Sequence, residues 1–265
     1  MAPLIAVEEV GKTFESGAHG VRALDRVSFD VEEGSFVSLV GPSGCGKSTL
    51  LKIISGLIAA SEGIIRVGGR VVDGPLANVG MVFQAPVLLK WRTVVENVML
   101  PVEFAGLDPL EYAGKAHSLL VLVGLEDFED EPPYQLSGGM QQRVSLCRAL
   151  VTDPHMLLMD EPFGALDAMT REDLDVELLR IWGEKKMTVV FVTHNIQEAV
   201  LLSDVVVVMS PRPGRVIERI PIRLARPRSI EMMSTAEFGR YTLEIRSLLG
   251  RAGPNASPRI SASAM

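Results

Sequence analysis

Val27, Phe29 and Val31 alternate with Ser28 and Asp30, a period of two that predicts a half-buried strand. Phe36, Val37, Leu39 and Val40 form an almost continuous apolar run that ends at Gly41. Residues 4–40 therefore read as strands, and residues 62–83 add shorter ones separated by Gly68-Gly69 and Asp73-Gly74. From Val94 the apolar period lengthens and predicts helices over 94–104, over 109–123 and ahead of Pro132-Pro133. Another helix is predicted over 138–151, with Met140, Val144, Cys147 and Val151 on one face and Gln141, Ser145 and Arg148 on the other. A short buried strand at 156–159 precedes a helix over 173–182, and strands at 188–193 and 205–209 flank a further helix. Strands that alternate with helices imply an α/β fold with a parallel sheet covered on both faces. The helical zone, about 86–153, interrupts that alternation as a subdomain. No internal repeat is present.

Composition narrows the class. With 265 residues, 47% hydrophobic and 22% charged, the chain is long and apolar enough to fold without disulfides or a structural metal. Lys plus Arg is 26 and Asp plus Glu is 33, so the net charge is 26 − 33 = −7, which argues against a nucleic-acid partner. The two cysteines, Cys45 and Cys147, exclude a disulfide framework. No basic segment followed by a long apolar run opens the chain, and no apolar run reaches the roughly 18 residues of a spanning helix, so a soluble, cytoplasmic protein is expected. Charge is uneven. Residues 211–265 hold ten Arg, no Lys and four Glu, a net of +6, against −13 for the first 210. That segment reads either as a solvated arginine-rich tail or as a face for a membrane surface or an acidic partner. Residues 251–265, rich in Gly, Pro, Ser and Ala, read as a disordered tail.

Gly41, Pro42, Ser43, Gly44, Cys45, Gly46, Lys47 and Ser48 match GxxxxGK(S/T) between a buried strand and the apolar helix that starts near Leu50. Such glycines let backbone amides curl round a phosphate, and the helix N-terminus adds a positive dipole end. Lys47 supplies charge for the β- and γ-phosphates, and the Ser48 hydroxyl suits Mg²⁺. Asp160 and Glu161 close a parallel strand, where a carboxylate faces the ligand crevice. Asp160 is placed to hold Mg²⁺ and Glu161 to polarise an attacking water, on a strand expected to neighbour the phosphate-loop strand. Ser137 can cap the helix over 138–151, and Gly138 and Gly139 leave its amides open to an anion. Cys45, beside Lys47 and a helix N-terminus, is expected to have a lowered pKa and to react with thiol reagents, and Cys147 to react more slowly.

These segments resemble the ATP-binding subunit of an ABC transporter over about residues 4–225. Gly41 to Ser48 is similar to its Walker A motif, Gln84 to its Q-loop glutamine and Leu136 to Gln142 to its signature motif. Residues 156–161 match its Walker B with the following glutamate, Ala165-Leu166-Asp167 its D-loop and His194 its switch histidine. The resemblance implies a P-loop NTPase with a RecA-like parallel-sheet core, an antiparallel β subdomain and a helical subdomain, followed by a helical extension over 226–250. It implies a homodimer that clasps two ATP molecules head to tail, each between Lys47 of one copy and Ser137, Gly138 and Gly139 of the other, with Asp167 at the same site. Thr49 joins the ATP-binding residues, Gln84 senses Mg²⁺ and the attacking water, and His194 contacts the γ-phosphate and holds Glu161. Phe14 stands where many relatives carry a tyrosine that stacks on adenine, and reads either as that platform or as core. Met140 replaces the usual glutamine of the signature.

The stretches from Leu88 to Val98, with Trp91, and from Leu202 to Arg215 are similar to those of nitrate, sulfonate and taurine importers, although Lys90 replaces the proline that often precedes the tryptophan. Trp91 lies where such proteins receive a permease helix; it reads either as a docking residue or as core. Partners implied are an integral-membrane permease and a periplasmic or extracellular solute-binding protein, with the chain on the cytoplasmic face of the membrane. Only 160 − 41 = 119 positions separate Gly41 from Asp160, too few for the coiled coil of a chromosome ATPase. A single phosphate loop excludes a two-cassette ribosomal factor. A soluble Fe–S assembly or scaffold ATPase and an importer for a thiamine precursor remain the alternatives.

Overall fold

The computed structural model describes residues 2–15, 20–164 and 166–251. Strands β1 (Ile5–Phe14) and β2 (Val21–Val31) pair antiparallel, and β3 (Phe36–Val40) leads into helix α1 (Lys47–Ile54). Strands β4 (Glu62–Val67), β5 (Arg70–Val71) and β6 (Val79–Val82) follow. Helices α2 (Val94–Phe104), α3 (Pro109–Leu122) and α4 (Gly138–Leu150) make the helical zone. Then come β7 (Met156–Asp160), α5 (Ala168–Lys185), β8 (Thr188–Thr193), α6 (Ile196–Leu202), β9 (Val205–Met209), β10 (Val216–Pro221) and α7 (Ala236–Arg251). Residues 252–265, most of the expected tail, lie outside the described residues.

Among the described residues the strands form a four-stranded antiparallel sheet, ordered β2-β1-β4-β5, and a six-stranded sheet, ordered β10-β9-β3-β8-β7-β6. The second is parallel except at its edge, where β10 runs antiparallel to β9. Sequence reading did not anticipate that strand. The Ser210 amide donates to the Arg215 carbonyl at 2.9 Å, and so short a turn can join only antiparallel neighbours. Strands β3 and β7 were expected side by side; β8 lies between them.

Every residue of β3, β7 and β8 is buried, as a parallel sheet covered on both faces requires. Alternate residues serve opposite cores. Phe36, Val40, Leu157, Met159, Val189 and Phe191 pack with the helical zone, α5, α6 and α7. Val37, Leu39, Met156, Leu158, Val190 and Val192 pack with α1 and the antiparallel sheet.

Helix starts follow local chemistry. Thr93 and Glu96 form a reciprocal capping box on α2, and Asp108 caps α3 ahead of Pro109. Helix α5 begins five residues before the sequence expectation, at the cap set by Asp167. Beyond β10 the chain is fastened by arginines. The buried Arg228 guanidinium donates to the carbonyls of Val200, Leu201, Ser203, Ile222 and Leu224. Arg226 lies 4.0 Å from the centre of the Trp182 ring and pairs with Asp204.

Candidate nucleotide and catalytic site

The parallel strands β3, β8, β7 and β6 end on one side, so the residues that follow them meet there. After β3 the chain turns through Gly44 and Gly46, at φ of 74° and 102°. A Cβ on Gly46 would also meet the Leu24 Cδ2 at 2.6 Å and the Ala23 carbonyl at 2.9 Å, so both conformation and space demand glycine. Lys47 folds back into this loop, with its Nζ donating to the carbonyls of Gly41 at 2.9 Å and Pro42 at 3.1 Å.

The Ser48 hydroxyl donates to Asp160 Oδ1 at 2.8 Å and joins the phosphate loop to the end of β7 across β8. Burial raises the Asp160 carboxyl above its ordinary range, and the neighbouring Glu161 adds to that; Ser48, Lys52 and Lys47 oppose it. A hydroxyl and a carboxylate together suit Mg²⁺, a hard cation that takes oxygen ligands and completes its shell with water and substrate phosphate. Glu161 adopts φ 46°, with its amide donating to the Val192 carbonyl at 2.9 Å. That turn brings its Oε2 to 3.1 Å from Nδ1 of His194, the residue after β8.

A cleft of about 360 Å³ gathers Phe14, Ser43, Gly44, Gly46, Lys47, Ser48, Thr49, Gln84 and Glu161. Phe14, exposed at 41%, is no core residue; its ring is open to stacking and carries the Lys12 ammonium at 5.2 Å. Sequence reasoning missed three further members of the wall, Val21, Ala23 and Arg212. The alternation in β2 marks which faces are buried, not which border a cleft. Pro211 to Arg215 was noticed only through kinship.

Other expected residues lie elsewhere on the same chain. Ser137 caps α4 through the Met140 amide at 3.3 Å, and neither it, Gly138 nor Gly139 lines the cleft. A Cβ on Gly138 would meet open space. Asp167 also stands apart. It caps α5, and the Thr170 amide and hydroxyl hold its carboxyl below the ordinary range. Ala165 is outside the described residues. Gln84 follows β6, and the segment around it is bound to α4: Gln142 donates to the Phe83 carbonyl, and Arg148 to those of Pro86 and Val87.

Trp91 is exposed at 78%, which overturns the core reading. Its turn is held from below by the buried Asn97, which accepts from the Leu89 amide at 2.7 Å and donates to the carbonyls of Leu89, Arg92 and Thr93.

Cys45 corrects another expectation. The thiol is fully buried, and burial raises its pKa more than the nearby Lys47 lowers it. A lysine and a helix end lower a thiol pKa only where water or a counter-charge stabilises the thiolate. Burial pushes Cys147 up to about 12.

Behind His194 lies an acid pair. Glu198 accepts from the Thr193 hydroxyl, and burial raises its carboxyl. Asp175 on α5 is buried with its Oδ1 unpartnered among the described residues. Burial first, then the charge of Glu198, pushes it up to about 9.

A family model described as ABC transporter matches residues 24–164. An uncharacterized ABC transporter ATP-binding protein of Methanocaldococcus jannaschii is 49% identical over 245 residues, 92% of this chain and 91% of the relative. The taurine import ATP-binding protein of Rhizobium johnstonii is 49% identical over 236 residues, 86% of this chain and 89% of that one. The aliphatic sulfonates import ATP-binding protein of Bacillus cereus is 43% identical over 240 residues, covering 91% and 94%. Among solved structures, a dimeric ATP-binding cassette in a post-hydrolysis state bound to ADP and Pi superposes with a TM-score of 0.76 at 34% identity, over 83% of this chain and all of that one. The fold is that of a P-loop NTPase of the ATP-binding cassette type. The chain belongs to the ABC transporter family, as an ATP hydrolase coupled to transport.

Two outcomes follow from the buried groups. Thiol reagents should leave Cys45 and Cys147 unmodified in the native protein and label both in denaturant, as mass spectrometry of labelled peptides would read; rapid native labelling of Cys45 would contradict its burial. Asp175 holds its proton in the fold and loses it in the unfolded chain above the ordinary value of 3.8. Stability therefore falls as pH rises from there towards about 9. The melting-temperature advantage of Asp175→Asn should grow between about pH 5 and about pH 8.5; a constant difference would show a charged Asp175.

Proposed function

We propose that the protein is the ATP-hydrolysing subunit of an importer for a small solute of the sulfonate, taurine or nitrate type. The meeting of Ser48, Asp160, Glu161 and His194 at the ends of three adjacent strands carries the hydrolytic half. Relatives named for taurine and aliphatic sulfonate import, at 49% and 43% identity, support the solute class.

In this reading ATP lies with its base against Phe14 and its phosphates in the loop from Gly41 to Thr49. Ser48 and Asp160, with Gln84, hold Mg²⁺, which supplies charge stabilisation at the β- and γ-phosphates. Glu161 accepts a proton from the attacking water, and His194 keeps its carboxylate oriented. Positioning and charge stabilisation are what phosphoryl transfer requires.

Ser137, Gly138, Gly139 and Asp167 complete the site of a second copy, head to tail. Their placement away from their own cleft and the dimeric cassette neighbour support that arrangement. The helix N-terminus at Ser137 then adds anion stabilisation only when the dimer closes. Among the described residues no helix is long and apolar enough to cross a membrane. In this reading, which the import relatives support, an integral-membrane permease provides the path, with the ATPase peripheral on its cytoplasmic face and a solute-binding protein acting from the far side. The displayed Trp91 supports docking there, since an exposed tryptophan offers large area at low entropic cost.

Lys47→Ala should bind ATP poorly and fail to dimerise. Glu161→Gln should bind ATP, lose hydrolysis on the order of 10²-fold or more, and persist as a closed dimer. Phosphate release and size-exclusion chromatography with MgATP measure both, and wild-type hydrolysis by Glu161→Gln would remove Glu161 from the mechanism.

Trp91→Ala should melt like the wild type and hydrolyse ATP alone, yet lose stimulation by the reconstituted permease. Retained stimulation would remove Trp91 from the docking surface.

A further inference from the structure

Arg212 reaches the nucleotide cleft from the loop after β9. Strand β9 is the parallel neighbour of β3, on the side opposite β8, so its C-terminal loop emerges beside the phosphate loop. Several bonds hold it there. The Ser210 amide donates to the Arg215 carbonyl at 2.9 Å, and the Arg215 amide returns to Ser210 Oγ at 3.0 Å. The Gly214 amide donates to the Ala23 carbonyl at 2.9 Å, and the Asp25 amide to the Gly214 carbonyl at 3.0 Å. A Cβ on Gly214 would lie 2.0 Å from the Cys45 carbonyl, so this backbone is pressed against the phosphate loop.

The two arginines of the loop differ. Arg215 is used structurally, with its Nε donating to Asp25 Oδ2 at 2.6 Å. Arg212 is exposed, and among the described residues it makes no ion pair and no side-chain hydrogen bond. A guanidinium is charged at every physiological pH and offers a planar fork of donors suited to phosphate oxygens.

Its level along the cleft follows from the anchor. Phe14 and Val21, partners in the β1–β2 register, line the cleft together with Gly46 to Thr49. Ala23, to which the Arg212 loop is bonded, lies among them, with its carbonyl close to Gly46. We propose that Arg212 is a second cation of the nucleotide site, which binds the ribose–α-phosphate portion of the nucleotide and sets affinity without entering the chemistry. The inference rests on the nucleotide reading of this cleft. Because ATP and ADP share that portion, Arg212 contributes equally to the binding of both and of the transition state of ATP hydrolysis, and so governs KM and not kcat.

Calorimetric titration with MgATP and with MgADP tests this on the full chain, using Arg212→Ala, Arg212→Lys and Lys47→Ala, beside steady-state phosphate release and thermal melts. Arg212→Ala should weaken both nucleotides by roughly tenfold, the scale of one charge-assisted contact. KM should rise by the same factor, kcat at saturation should hold, and the nucleotide-free melting temperature should not move. Arg212→Lys should recover part of the affinity. Unchanged affinity in Arg212→Ala overturns the proposal. So does a loss confined to ATP, which would put the guanidinium on the γ-phosphate, or a fall in kcat at unchanged affinity. Wild type and Lys47→Ala binding alike would defeat the nucleotide reading of the loop, whereas Lys47-dependent binding indifferent to Arg212 removes Arg212 alone.

Discussion

The parallel ladder through β3, β8 and β7 is the constraint on which the site depends. Val40 sits opposite Thr193, and Asp160 opposite Val192, so the phosphate loop, His194 and the Asp160–Glu161 pair leave the sheet at one level. A slip of one residue would exchange the faces of an entire strand. Here both faces are buried in separate cores: Val189 and Phe191 belong to one, Val190 and Val192 to the other. Register is therefore held by packing on both sides, and the Ser48–Asp160 and Glu161–His194 contacts need no loop of their own to find each other.

Charge is handled by burial as much as by pairing. Lys47 is satisfied by the carbonyls of its own loop, and Ser48 supplies a hydrogen bond to Asp160 where burial disfavours the carboxylate. Burial raises the carboxyls of both Asp175 and Glu198, and Asp175 keeps its proton beside Glu198. Arg171 reaches past that pair to the carbonyls of Phe163 and Leu166. The residues after β7 are thus tied to the start of α5 while Glu161 is held by β8. Those bonds brace the loop that follows Glu161.

The exposed turn at Trp91 has its own support. Asn97 places the Trp91 turn outside the core by meeting four backbone groups from a fully buried position. Arg148 and Gln142 attach the segment round Gln84 to α4, the helix that Ser137 caps. One helix thus touches the segment beside the nucleotide cleft and carries the outward-facing Ser137 end.

Much of this was legible in the sequence because it depends on near neighbours along the chain. The run from Phe36 to Val40, the glycine loop after it, the cap at Ser137 and the carboxylates closing β7 are local patterns, and the order of the motifs pointed to the family; the caps at Thr93 and Asp108 are equally local but came from the structure. What needed the tertiary structure were the quantities set by distant segments. Cys45 is buried in a core that also holds Leu24 and Met209, both distant in sequence, so a rule drawn from its immediate neighbours gave the wrong direction for its pKa. Trp91 carries an apolar side chain that periodicity alone would bury, and Asn97 holds it out. The separation of β3 from β7 by β8 is a matter of strand order, to which periodicity is blind. Asp175 and Glu198 sit on different helices, and Arg212 faces a cleft whose other walls come from β1, β2 and the phosphate loop. Periodicity reports which face of an element is apolar; only the path of the chain decides what that face meets.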